Sequence, residues 1–120
     1  MRTKPYDRAL KEVRKLCLAL PEAREVEAWG HPTFRAGKKM FAAFGEYDGQ
    51  LSLGLNVGHD RQDELLNDSR FFPTPYAARL GWVSLYINDG TDWEEVAVLL
   101  SEAYRQVALK RMLKALDTQE

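Results

Sequence analysis

Three cations, Arg35, Lys38 and Lys39, stand within five residues around Gly37. Positive side chains gathered on one bend can meet phosphate oxygens, and phosphate contacts dominate nucleic-acid affinity. The flanking residues predict the bend itself. Thr33-Phe34-Arg35-Ala36 alternates polar and apolar, Met40 to Phe44 is a short apolar run, and Gly37 supplies the backbone freedom of a hairpin turn. A second set of cations, Lys4, Arg8, Lys11 and Lys15, falls on one face of a helix at ~100° per residue. It extends the phosphate surface if that face lies on the same side as the turn. Ordinary solvated lysines are the plainer alternative for both sets.

Other reactive side chains lack the company that chemistry needs. His31 and His59 are the two histidines, and neither has acidic or cysteine neighbours at metal-ligand spacing. His31 beside Pro32 is expected to order its loop through a backbone hydrogen bond. The single cysteine, Cys17, lies on an apolar helical stripe, where a buried structural thiol is expected rather than a nucleophile. Ser52, Ser84 and Ser101 have no nucleophile-elbow context. The glycines are scattered, and no glycine-rich strand-to-helix loop is present to cradle a phosphate or dinucleotide. No catalytic residue, cofactor or metal is therefore expected, and a non-enzymatic role follows. The aromatics offer an alternative: Trp29, Phe34, Trp82 and Tyr86, on a sheet face away from the helices, would line a protein- or small-ligand-binding surface.

The elements that position these residues follow from length and pattern. The 120 residues suit one domain, residues 1–120, with 45% hydrophobic and 29% charged residues. No apolar run nears the ~18 residues of a membrane span, and residues 1–6 show no signal-peptide core. A soluble cytoplasmic protein without membrane contact is the default. The net charge of −1 argues against avid, general nucleic-acid binding, but it is uneven. Residues 1–40 hold ten basic and five acidic side chains, residues 41–104 hold three and eleven, and residues 105–120 hold four and two.

A first helix is predicted from Pro5 to Leu20, with Tyr6, Leu10, Val13, Cys17 and Leu20 as its apolar stripe. Glu25 to Trp29 alternates as a first strand. The hairpin around Gly37 follows, then an Asp48-Gly49 turn and a strand over 50–56, which together make an antiparallel meander. A short helix over 60–67 takes Asp60 as N-cap. Phe71 to Tyr76 is expected to be irregular because of its prolines. Gly81 to Ile87 is the next strand, with Val83, Leu85 and Ile87 toward the core. Thr91-Asp92-Trp93-Glu94 matches a capping box, with Thr91 as N-cap, and opens one long C-terminal helix. Its stripe of Trp93, Val96, Ala97, Leu100, Tyr104 and Val107 faces the core. A second stripe of Val98, Leu109, Met112, Leu113 and Leu116 covers another part of the domain or a second subunit. The sum is an α+β two-layer sandwich, its antiparallel sheet carrying the N- and C-terminal helices on one face.

Leu20-Pro21-Glu22-Ala23, Trp29-Gly30-His31-Pro32-Thr33-Phe34-Arg35 and Gly37-Lys38-Lys39-Met40-Phe41-Ala42 resemble the MmcQ/YjbR family of small bacterial proteins. Phe72-Pro73-Thr74-Pro75-Tyr76, Gly81-Trp82-Val83 and Ser101-Glu102-Ala103-Tyr104-Arg105 extend the resemblance over most of the chain. It implies a frataxin/CyaY-like fold and DNA binding through a "double wing" of hairpins, with Arg35, Lys38 and Lys39 on one wing. Frataxin-like iron donation needs an acidic first helix, whereas this one carries Lys4, Arg8, Lys11, Arg14 and Lys15 against Asp7 and Glu12. The expected partners are DNA, and a protein partner or a second copy through the C-terminal helix.

Overall fold

The computed structural model describes residues 3–119. Helix α1, Lys4–Leu18, starts where Thr3 accepts the Tyr6 amide at 3.2 Å and where Pro5 fits a first turn that needs no N–H donor. Tyr6, Ala9, Leu10, Val13 and Cys17 form its buried side. Four strands follow as a meander: β1 Arg24–Ala28, β2 His31–Ala36, β3 Lys39–Tyr47 and β4 Gln50–Asn56. Helix α2, His59–Leu65, leads to strands β5, Phe71–Pro73, and β6, Trp82–Tyr86. Helices α3, Trp93–Val107, and α4, Lys110–Thr118, close the chain. The six strands form one antiparallel sheet in the order β1-β2-β3-β4-β6-β5.

Residues paired across neighbouring strands share a sheet face. Phe34, Ala42, Phe44, Leu53, Leu55, Val83, Leu85 and Phe71 therefore face the helices together, and all are buried. Tyr6 of α1 meets Phe44 edge-on at 5.1 Å, and Tyr104 of α3 meets Phe41 at 5.6 Å, so both helices pack on that one face. Phe41 reaches the same side through an irregularity in the β2–β3 register beside Phe34 and Arg35, where Arg35 pairs with Met40.

Several local expectations need correction. Trp29 does not continue β1; with φ of 51° it joins Gly30 (φ 78°) in a two-residue turn whose double positive φ matches type I′. Residues 71–73 are an edge strand despite their proline, because an outermost strand leaves the missing N–H unneeded. Asp92, not Thr91, caps α3 by accepting the amides of Glu94 and Glu95, while the Thr91 hydroxyl accepts the Asn88 amide. Gly58 stands at the N-cap of α2, so Asp60 lies inside the helix. The long terminal helix is two helices, broken at Ala108 and Leu109, which are extended with ψ of 148° and 158°. The break turns Met112 and Leu116 into the chain's own core, where both are buried, and leaves Val98 and Leu109 exposed. Two of the five residues of the second stripe are thereby buried within the molecule.

The segments that carry the family resemblance tie the framework together. The buried Tyr104 donates its hydroxyl to the Pro21 carbonyl at 2.6 Å. The adjoining Glu22 takes a left-handed φ of 57° and pairs with Arg111 of α4 at 2.8 Å. Gln62, buried in α2, donates to the carbonyls of Ala78 and Trp82 at 2.6 and 2.7 Å. Gly81 (φ 92°) lies so near Gly58 that an added Cβ would stand 3.0 Å from its Cα.

Candidate nucleic-acid interface

The β2–β3 turn projects Lys38 and Lys39 into solvent at one end of the sheet. Two other elements reach the same place. Arg24, the first residue of β1, donates a guanidinium N–H to the Gly37 carbonyl at 3.0 Å. Leu109 seats its side chain against Gly37, 3.3 Å from where a Cβ would stand, and so brings the start of α4 beside the turn. Lys110 and Arg111 occupy the first turn of α4, which has neither a side-chain cap nor an acidic residue. Cations at a helix N-terminus work against the helix dipole. Positive charge and unsatisfied amides thus collect at one corner, an arrangement suited to an anion.

Arg35 belongs to this corner but not to the tip of the turn. It pairs in register with Arg24 on one side and Met40 on the other, on the sheet face away from the helices. Among the described residues, Arg24, Arg35, Lys38, Lys39 and Lys110 make no ion pair, whereas Arg14, Arg61, Arg70, Arg105 and Arg111 each do. Hydrogen bonds donated to the paired carboxylates hold Arg14, Arg61, Arg70 and Arg111 more firmly protonated than usual. Arg24 and Lys110 were not singled out from the sequence. The Arg24–Arg35 pairing follows by counting outward from a two-residue turn at Trp29-Gly30, so the turn type was the missed signal. Lys110 depends on the break in the terminal helices, which no proline or glycine announces.

The cations of α1 go elsewhere. Arg8 and Lys11 line a groove of about 650 Å³ with Leu51, Ile87, Asp89 and Trp93. Leu51 and Ile87 mark the sheet end that carries the Asp48-Gly49 turn, roughly 25 Å along β3 from the Lys38 turn at ~3.3 Å per residue. Lys4 lies a turn before Arg8, and Lys15 nearer the other end of the helix; all four are exposed on the helical layer. Lys4, Arg8 and Lys11 therefore do not join Arg35, Lys38 and Lys39 in one patch. Their end also holds acidic residues, with Asp89, Asp92, Glu94 and Glu95 beside the start of α3.

The alternative aromatic surface is only partly assembled. Phe34 faces the helices and is fully buried, because the β2 register sets it opposite Ala42. Trp82 is on the far face but only 8% exposed, its ring lying over Gly54. Trp29 is 85% exposed at the tip of its turn. Tyr86 stacks on Phe72 at 4.5 Å, and Phe72 on Tyr47 at 4.8 Å, so these rings chiefly cover one another. His31 lays its ring across Gly45, and no hydrogen bond to the backbone accompanies it among the described residues. Cys17 is buried, which pushes its thiol pKa up and leaves it unreactive. Among the described residues no three His, Cys, Asp or Glu side chains gather as metal ligands, and no helix is long and apolar enough to cross a membrane.

The YjbR family model matches residues 18–106, about three quarters of the chain. Protein DR2400 of Deinococcus radiodurans, a DUF419-domain protein, has a similar structure with a TM-score of 0.71 at 24% identity, over 92% of this chain and 86% of that one. A Pseudomonas syringae protein solved as structural genomics target PsR293 aligns with a TM-score of 0.65 at 12% identity, over 88% of this chain and 99% of that one. No curated protein sequence matches significantly. The chain belongs to the YjbR family, and its α+β fold is shared with these structures.

Proposed function

We propose that this YjbR-family chain is a non-enzymatic protein that binds the phosphate backbone of duplex DNA through the corner formed by Arg24, Arg35, Lys38, Lys39 and Lys110. The supporting observation is the convergence of five cations without ion-pair partners, drawn from β1, the β2–β3 hairpin and α4, in a chain whose net charge is −1. Elsewhere among the described residues, Arg14, Arg61, Arg70 and Arg105 are matched with carboxylates, while Arg8 and Arg79 are not. A localised patch of this kind binds phosphates with little sequence preference and strong salt dependence.

The patch is small, so binding is weak and contacts few phosphates. Four neutralised phosphates give a slope of about −3.5 in log affinity against log salt. Fluorescence anisotropy of a labelled 16-base-pair duplex tests the reading, with the parent and the double variant Lys38→Glu/Lys39→Glu measured at several salt concentrations. Loss of binding in the variant, with a steep salt slope in the parent, is the expected result. Equal, salt-insensitive or absent binding in both proteins contradicts it.

A further inference from the structure

Arg24 and Arg35 stand directly opposite each other on β1 and β2. Like charges in that position destabilise a sheet. Arg24 spends one N–H on the Gly37 carbonyl, and neither guanidinium reaches a carboxylate among the described residues. The Arg35 Nε is also shut off from solvent and has no acceptor; it is the sole buried side-chain N or O atom among the described residues in that state. Folded proteins leave few buried donors unmatched, and those few commonly mark an ion or a water. An unmatched donor on a charged group is the costlier kind.

The neighbourhood supplies no remedy. Met40, opposite Arg35 on β3, offers only a thioether, a weak acceptor. The Thr33 hydroxyl is engaged with the Val26 carbonyl. An acceptor from outside the chain would relieve both faults once the Arg35 side chain turns its shut-off Nε–H outward, since one oxyanion can then accept from that N–H and also neutralise the repulsion between the two guanidinium groups. Planar guanidinium forks match tetrahedral phosphate oxygens with paired hydrogen bonds.

We propose that the Arg24–Arg35 pair is the seat of a single phosphate group, on the sheet face away from the helices, with Lys38 and Lys39 at its outer rim. The proposal rests on the DNA-binding reading in taking a backbone phosphate as the occupant; a free phosphate monoester is the other source of the same chemistry. The seat orients the duplex along the β1–β3 edge of the open sheet face and away from α1.

Nitrogen-15 NMR of the arginine Nε–H groups tests the seat on the full chain. Inorganic phosphate and a 16-base-pair duplex are titrated separately into the parent, Arg24→Gln and Arg35→Lys. Arg35→Lys keeps the charge and removes the buried Nε–H. In the parent, both probes shift the Arg35 Nε–H signal, and each variant weakens duplex binding about tenfold, as loss of one charge-assisted contact predicts. A shift with phosphate but unchanged duplex affinity in both variants supports the seat and assigns it to a free phosphate. No shift with either probe overturns the seat, even where Lys38→Glu/Lys39→Glu still abolishes DNA binding and the broader reading stands. Should Arg35→Lys fail to fold, Arg24→Gln, at an exposed position, gives the same readout.

Discussion

Tyr104 is fully buried, and its hydroxyl donates to the Pro21 carbonyl across 83 residues of sequence. Tyr104→Phe keeps the ring against Phe41 and removes only that bond, so urea unfolding should show a loss of about 1 kcal/mol. An unchanged midpoint would deny the bond any weight. Burial, and then the Glu22 carboxylate, raise the pKa of this phenol. A pKa raised in the folded state gives stability that is complete below the unfolded value of about 10 and lost as pH rises further. Tyr104→Phe should flatten that alkaline limb, and equal limbs in the two proteins would contradict the assignment. The sequence placed Tyr104 in the core correctly, but the hydroxyl's partner lay beyond it, because a long-range bond to a loop carbonyl leaves no periodic trace. Phe34 was half legible: alternation put it on one face of β2, and only the register showed that this face meets the helices.

The glycines separate turn geometry from packing at the scale of elements. Gly49 and Gly81 both have positive φ, at 79° and 92°, yet a Cβ at Gly49 meets nothing within 4 Å, while one at Gly81 meets the Gly58 backbone at 3.0 Å. Gly49→Ala should therefore cost only the left-handed penalty of about 1–2 kcal/mol. Gly81→Ala should cost clearly more, because backbone cannot step aside as a flexible side chain can. Thermal melts of the two variants decide it, and equal losses would refute the close approach of the α2 and β6 segments. The β2–β3 and β3–β4 hairpins were legible because Gly37 and Asp48-Gly49 announce them, whereas the β1–β2 turn at Trp29-Gly30 was not. The α3–α4 break was not, since Ala108-Leu109 carries no breaker and the contact of Leu109 with Gly37 selects it. That contact also delivers Lys110 to the basic corner, so this one of the five cations lay outside what local pattern could reveal.

At the scale of the whole molecule, the charge blocks of the sequence become a spatial asymmetry. The corner holding Arg24, Lys38, Lys39 and Lys110 is basic, while the start of α3 presents Asp92, Glu94 and Glu95 at the other end of the sheet. A near-neutral chain can in this way present a local attraction for phosphate. The core also reaches beyond the 18–106 family region. Tyr6, Leu10 and Val13 of α1 and Met112 and Leu116 of α4 complete it. A fragment limited to residues 18–106 should show no cooperative melt, because loss of each buried Leu or Met removes about 2–5 kcal/mol from a domain of ordinary stability. A sharp thermal transition in that fragment would contradict the single shared core.

Backbone-amide NMR of the full chain, titrated with a short DNA duplex at low salt, tests the central claim most directly. The account predicts signals that move at residues 24, 35–39 and 109–111 and return toward their free positions as salt is raised. Shifts centred on residues 4–15 or on Tyr47, Phe72 and Tyr86, or no shift at all, would contradict it.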